Sequence, residues 1–295
     1  LLPGAKREER GRLPGFLTAR TWVKFQQSLE DKEAFSQLVC GIWGVYSSVS
    51  PDPALYTDQS PYQGLQSFTQ ENSHFFFGRE GLIEWVLDEL RPTEMEEQEK
   101  KRDNRFIGII GPSCSGKSSL AQAGLLAALK ENKFPGSQDW PIAICRPDEN
   151  PLEELAASLC HATKQEDPAA LAALIEKLKE DPKHLHLYTR LALKDKPDQR
   201  FVVVVDQFEE IFTLCKDEKT RKSFIDNLHH ASSIANGQTI VVLTMRSDFY
   251  GKCAKYPALA AALSDHQMLV GPMEEEELRR AIEYPAQFTG CKFEP

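Results

Sequence analysis

The sequence predicts an α/β fold: a three-layer αβα sandwich around a mostly parallel sheet. Three observations predict it. FVVVV at 201–205 and TIVVL at 239–243 are continuous β-branched runs without polar alternation, the pattern of strands buried on both faces. A shorter apolar run at 106–110, FIGII, ends in a glycine-bounded turn and leads into an apolar helix from Leu120 to Leu129. Segments of helical period separate these runs, and strands that alternate with helices place helices on both sheet faces.

Taken in order, residues 1–44 supply a strand end at Leu1 and Leu2, a strand at 16–25 and a helix at 31–42 with Phe35, Leu38, Val39 and Ile42 on one face. These pieces are too few to bury a core and read as the end of an α/β domain. Residues 45–61 are rich in Ser, Pro and Asp without periodicity, which is a linker. The second domain is expected over 62–295. Leu82, Ile83, Val86, Leu87 and Leu90 recur at helical spacing, and the charged stretch 91–105 connects that helix to the strand at 106. Then follow a strand at 141–145, helices at 151–162, 168–180 and 184–194, the strand at 201–205 and a helix at 217–235. The strand at 239–243, a helix at 251–263, a short strand at 268–270 and a helix at 274–288 complete the order.

Composition narrows the function classes. A hydrophobic content of 41% with 27% charged residues is that of an ordinary globular chain. The net charge of −9, with Lys and Arg scattered, argues against a nucleic-acid-binding face. No apolar run reaches transmembrane length and no signal peptide is visible, so no membrane partner is expected. Seven cysteines without C-x-x-C spacing read as reduced core thiols of a cytoplasmic protein. Leu1 and Pro295 both read as cut ends, and an excerpt of a longer chain is expected.

Chemistry concentrates in four places. Gly111-Pro112-Ser113-Cys114-Ser115-Gly116-Lys117-Ser118 fits G-x-x-x-x-G-K-[ST] between a strand and a helix, the context that a P-loop requires. Its glycines let backbone N–H groups turn toward phosphate oxygens, and the helix N-terminus, with Ser119 in its first turn, adds partial positive charge. Lys117 supplies a full charge for the β- and γ-phosphates, and the Ser118 hydroxyl is placed for Mg2+. Cys114 lies inside this cradle, where alkylation would block a nucleotide; the alternative is an inert residue in a variable slot. In FVVVVDQFEEIF, 201–212, the strand delivers Asp206 at its C-terminal end, where α/β sheets bind ligands and a carboxylate can hold Mg2+ opposite Ser118. Glu209 and Glu210 follow as candidate bases for the attacking water, and Glu209 is favoured; helix N-terminal carboxylates are the plain alternative. In TIVVLTMRSDFYG, 239–251, Arg246 ends a strand on the same side, fit to read a γ-phosphate, with a surface ion pair as the plain alternative. Asp248 either holds Arg246 or caps the next helix, and capping is favoured. In FFFGRE, 75–80, Gly78 and Arg79 are candidates to line an adenine pocket; a plain helix start with Phe75–Phe77 as core is the alternative.

The base is argued by elimination. The residues after Asp206 are Gln-Phe-Glu and not the D-x-x-G of GTPases, and N-K-x-D is approximated only by Asp195-Lys196-Pro197-Asp198 in the wrong order. ATP, with ADP as product, is therefore expected over GTP.

GPSCSGKSSLAQAGLLAAL, VVVVDQFEEIFTL, TMRSDFYG and MEEEELRRAIEYPA, introduced by SPYQGLQSF and FFFGRE, resemble the novel STAND NTPases, bacterial signal-transduction ATPases similar to AAA+ and NACHT switches. The resemblance runs from Ser60 to Pro295. It implies ATP/ADP-dependent closure, slow Mg2+-dependent hydrolysis, and homo-oligomerisation triggered by an unknown sensed ligand, with an effector before the NTPase and a repeat sensor after it. Residues 1–44, with LLPG and LPGFLTARTWVKF, resemble the C-terminal edge of a bacterial TIR domain, with Lys24 where an acidic residue is usual. Gln207, where many AAA+ proteins carry an acid, departs from the pattern. Three other classes compete: a nucleotide-stabilised scaffold without turnover, a DNA-metabolism ATPase, and a small-molecule kinase.

Overall fold

The computed structural model describes residues 60–92, 104–165 and 167–289. The TIR-like fragment and the linker expected before residue 60 lie outside the described residues. Ser60–Gln287 form one compact unit.

Its centre is a five-stranded sheet of β1 (Phe106–Gly111), β2 (Ile142–Cys145), β3 (Phe201–Val205), β4 (Thr239–Arg246) and β5 (Gln267–Leu269), in the order β2-β3-β4-β1-β5. Every pairing is parallel. The side-chain period of two sorts the strand residues into two cores. On one face Ile107, Ile109, Val202, Val204, Ile240 and Val242 meet Val86 and Leu87 of α1 (Glu80–Glu89) and Leu120, Leu125 and Leu126 of α2 (residues 117–130). On the other, Phe106, Ile110, Val203, Val205, Val241 and Leu243 meet α3 (Pro151–Ala162), α4 (Pro168–Glu180), α5 (His184–Ala192), α7 (Glu218–Ser233) and α9 (Pro257–Asp265). This is the three-layer α/β sandwich that the continuous apolar strands predict.

The connection leaving β1 runs toward the β2 edge, whereas the one leaving β4 crosses to β5 at the other edge. The loops after β1 and β4 therefore part, and ligands of open α/β sheets sit in such a crevice at the carboxyl ends of the strands. The helix after β1, α2, runs over 117–130 as Lys117–Ser119, a π-helical stretch Leu120–Leu126 and Ala127–Lys130. Gly124 lets α1 lie close to it: a Cβ there would stand 2.9 Å from Ile83 Cγ1.

β4 runs on to Arg246, the expected strand end, because it lies between β3 and β1 and stays paired through Gly111↔Arg246. Two elements differ from expectation. The helix expected at 251–263 divides into α8 (Tyr250–Cys253) and α9, since Pro257 offers no N–H and holds Tyr256 out of helical geometry at φ −119°, ψ 89°. A one-turn helix, α6 (Glu210–Thr213), follows β3. The last helix, α10 (Glu275–Thr289), begins at Glu275 and carries Pro285 inside.

Candidate nucleotide-binding site

The loop from β1 to α2 is built by two glycines with different duties. Gly116 sits at φ +85°, a conformation that side chains of L-residues rarely adopt. Gly111 is needed for close approach: a Cβ there would stand 2.8 Å from both the Ser115 hydroxyl and the Val270 carbonyl. Cys114 also takes a positive φ, +61°, and is exposed at the loop tip beside Pro112 and Ser113. The first turn of α2 starts at Lys117, so its N–H groups, having no intrahelical partners, face the loop. Lys117 is only 8% exposed. Its ammonium donates to the Pro112 carbonyl at 2.5 Å and lies 3.5 Å from Ser115 Oγ, within the concavity of the loop. Burial lowers its pKa, and the nearby Glu209 carboxylate is the largest charge opposing that shift.

Asp206 stands at the end of β3, 2% exposed. The Ser118 hydroxyl donates to its Oδ1 at 2.7 Å and the Thr244 hydroxyl to the same oxygen at 2.6 Å. Gln122 Nε2 donates to Oδ2 at 3.3 Å, and the Arg146 guanidinium lies 3.8 Å from Oδ2. Thr244 also accepts the Gln207 N–H at 2.9 Å, which holds Gln207 in a left-handed turn at φ +55°. Glu209 accepts the Arg246 backbone N–H at 3.2 Å and lies near enough to Lys117 to oppose the fall in its pKa. Burial pushes the Glu210 carboxyl up, against the pull of Arg146 and of the Asp148 backbone N–H.

A divalent ion of the magnesium type fits the donor set. Ser118 and Asp206 are hard oxygen donors within contact of each other, at the end of the glycine-bounded loop. Among the described residues no group of three or more His, Cys, Asp or Glu side chains could hold a metal. Mg2+ needs no such cage, since it is held by one or two protein oxygens, phosphates and water.

Other residues singled out in the sequence have different partners here. The Arg246 side chain is paired with Asp248 through 3.0 and 2.7 Å contacts and lies over the Phe249 ring. Asp248 thus orients Arg246 and does not cap the next helix, a correction to expectation; within one tight turn, Ser247–Phe249, the guanidinium is the nearer donor. The Ser119 hydroxyl accepts the Phe68 N–H at 3.0 Å and ties the 60–70 segment to α2. Arg79, 6% exposed, binds the Gly271 carbonyl at 2.7 Å and Glu277 at 3.3 Å. Gly78, at φ +85°, lets the chain run against α10, where a Cβ would stand 2.3 Å from the Glu277 carbonyl oxygen. Both therefore fasten α10 next to Val270, which abuts the first glycine of the loop. Thr244, Gln122 and Arg146 escaped the sequence reading. Gln122 had a usable signal, since it follows Ser118 by one helical turn. Thr244 and Arg146 become visible only with the strand register.

The fold and the loop define a P-loop nucleotide-binding NTPase. The Novel STAND NTPase 1 family matches residues 61–295, and the chain belongs to that family. A comparison with curated proteins finds no match. Among solved structures the chain is similar to the Aeropyrum pernix ORC2 protein in its ADPNP-ADP complexes, at 12% identity and a TM-score of 0.47, over 71% of this chain and 52% of that one. The chain thus spans about half the length of that protein.

Proposed function

We propose that the chain binds ATP with Mg2+, hydrolyses it slowly to ADP, and serves as the nucleotide-gated switch of a larger cytoplasmic signalling protein that homo-oligomerises on activation. Bacterial defence is the setting this reading favours, with a TIR-like effector before the switch and an unidentified ligand sensed after it. The observation that carries the reading is the 2.7 Å contact of Ser118 with Asp206, directly beside the glycine-bounded loop and Lys117. Membership of a STAND NTPase family supports the nucleotide class.

In the mechanism, the amides of residues 113–118 and the Lys117 ammonium hold the β- and γ-phosphates in line. Ser118 and Asp206 are the residues that would hold the metal, which when bound would neutralise charge on the phosphates. Glu209, near Lys117 and tethered by the Arg246 N–H, is the side chain we assign to orient the attacking water and receive its proton. Arg246 leaves Asp248 to meet charge that develops on the transferring phosphoryl group. A switch follows only if ATP binds one arrangement more tightly than the other, because equal binding shifts nothing.

The test is turnover by purified protein. Wild type should release phosphate slowly and only with Mg2+; Asp206→Ala and Glu209→Gln should lose that release while DNA leaves the wild-type rate unchanged. Undiminished hydrolysis by Asp206→Ala would remove this reading. Bound ADP with no turnover in wild type would favour the scaffold instead.

A further inference from the structure

The two oxygens of the Asp206 carboxylate have chemically different neighbours. Oδ1 faces the hydroxyls of Ser118 and Thr244. Oδ2 faces Gln122 Nε2 at 3.3 Å and the Arg146 guanidinium at 3.8 Å. The parallel register explains how Arg146 comes there. Cys145 pairs with Val205, the Asp206 N–H donates to the Cys145 carbonyl at 2.9 Å, and Arg146 is the next residue out of β2. Its side chain is 54% exposed, while that of Asp206 is 3% exposed, so a solvent-reaching guanidinium stands beside one oxygen of a buried carboxylate. A guanidinium has no lone pair to offer a metal.

This arrangement bears on which cation the site accepts. Mg2+ demands a tight octahedron and binds through one or two carboxylates, keeping several waters. Ca2+ takes more oxygens at longer distances and readily uses both oxygens of one carboxylate. We propose that Arg146, together with Gln122, is a specificity-determining residue: it covers Oδ2 of Asp206, restricts the carboxylate to one-oxygen ligation, and so makes the site choose Mg2+ over Ca2+. The inference rests on the nucleotide–metal reading above and names the residues that tune it.

The experiment measures the dissociation constant of a fluorescent ADP analogue in Mg2+, in Ca2+ and in EDTA, for wild type, Arg146→Ala and Gln122→Ala. No turnover is needed. Wild type should bind more tightly in Mg2+ than in Ca2+. Both variants should bring the two constants together by about tenfold, the usual scale for groups that orient a metal ligand, through tighter binding in Ca2+. A ratio unchanged within about twofold overturns the proposal. A parallel rise in both affinities also overturns it, since the guanidinium would then act only as a repelling charge; a parallel fall overturns it by making Arg146 a structural prop. If wild type fails to bind the analogue under all three conditions, the nucleotide reading itself is wrong and this inference falls with it. Binding in the EDTA arm with an unaltered ratio sinks only the role of Arg146.

Discussion

Thr244→Val isolates the contact that joins β3 to β4 beneath the site. Valine keeps the shape of threonine, so no cavity opens at this 1% exposed position and the loss is that of the hydroxyl alone. That hydroxyl donates to Asp206 Oδ1 at 2.6 Å and accepts the Gln207 N–H at 2.9 Å. The first bond is charge-assisted, worth about 1.5–3 kcal/mol. The second, once lost, leaves a half-buried N–H without its acceptor, at a cost of about 1 kcal/mol, the low end for an unsatisfied group. Together they give a destabilisation of about 3 kcal/mol, or a fall in Tm of roughly 6–12 °C for a unit of this size. Urea and thermal denaturation of nucleotide-free protein read it directly. Ser118→Ala is the control, because its hydroxyl is half-buried and touches the same oxygen from the solvent side, so its cost should be smaller. A Thr244→Val loss below about 1 kcal/mol would show that these two bonds do not hold the turn at Gln207.

Other consequences follow from the same geometry. Lys117→Met should raise the Tm of nucleotide-free protein at neutral pH, because the folded state lowers the lysine pKa and so disfavours its charged form; the gain should shrink as pH rises toward the ordinary lysine value of 10.5. No gain at neutral pH would mean that the Pro112 carbonyl fully offsets the burial. Glu210→Gln should behave in the opposite pH sense: burial raises the folded pKa of Glu210, so its stabilising contribution is complete below 4.5 and lost as pH rises through the folded value. The variant should therefore melt higher than wild type at pH 7 and equally near pH 4, and a difference confined to acid would contradict this. Gly78→Ala should cost about 2 kcal/mol or more through the positive φ alone and loosen α10, read as faster amide exchange over 275–289. Unchanged exchange there would show that Gly78 does not set the approach of α10.

Much of the fold was legible because it is written locally. β1, β3 and the helices at 80–89, 151–162 and 168–180 show their period or their apolar run within one element. The phosphate loop is local too, since eight consecutive residues carry both its conformation and its charge. What stayed hidden depends on register or on contacts far apart in the chain. Thr244 reaches Asp206 across 38 residues, and Arg146 reaches it only because β2 and β3 are paired in one particular register. Gly78 and Arg79 sit before the phosphate loop in sequence and also clasp a helix 198 residues further on, which no local pattern announces. Asp248 was misjudged for a simpler reason: a helix start and an arginine two residues away compete for one carboxylate, and the arginine wins on distance. The break before Pro257 is local as well, since the proline rule alone dictates it.

The central claim is that the loop at 111–118 grips a nucleotide through its amides, Lys117 and a metal shared by Ser118 and Asp206. Equilibrium binding of ATP to wild type and to Lys117→Ala, each with Mg2+ and with EDTA, tests it most directly. Wild type should bind, more weakly in EDTA than in Mg2+, and Lys117→Ala should not bind in either. Equal affinity of Lys117→Ala and wild type would contradict the account.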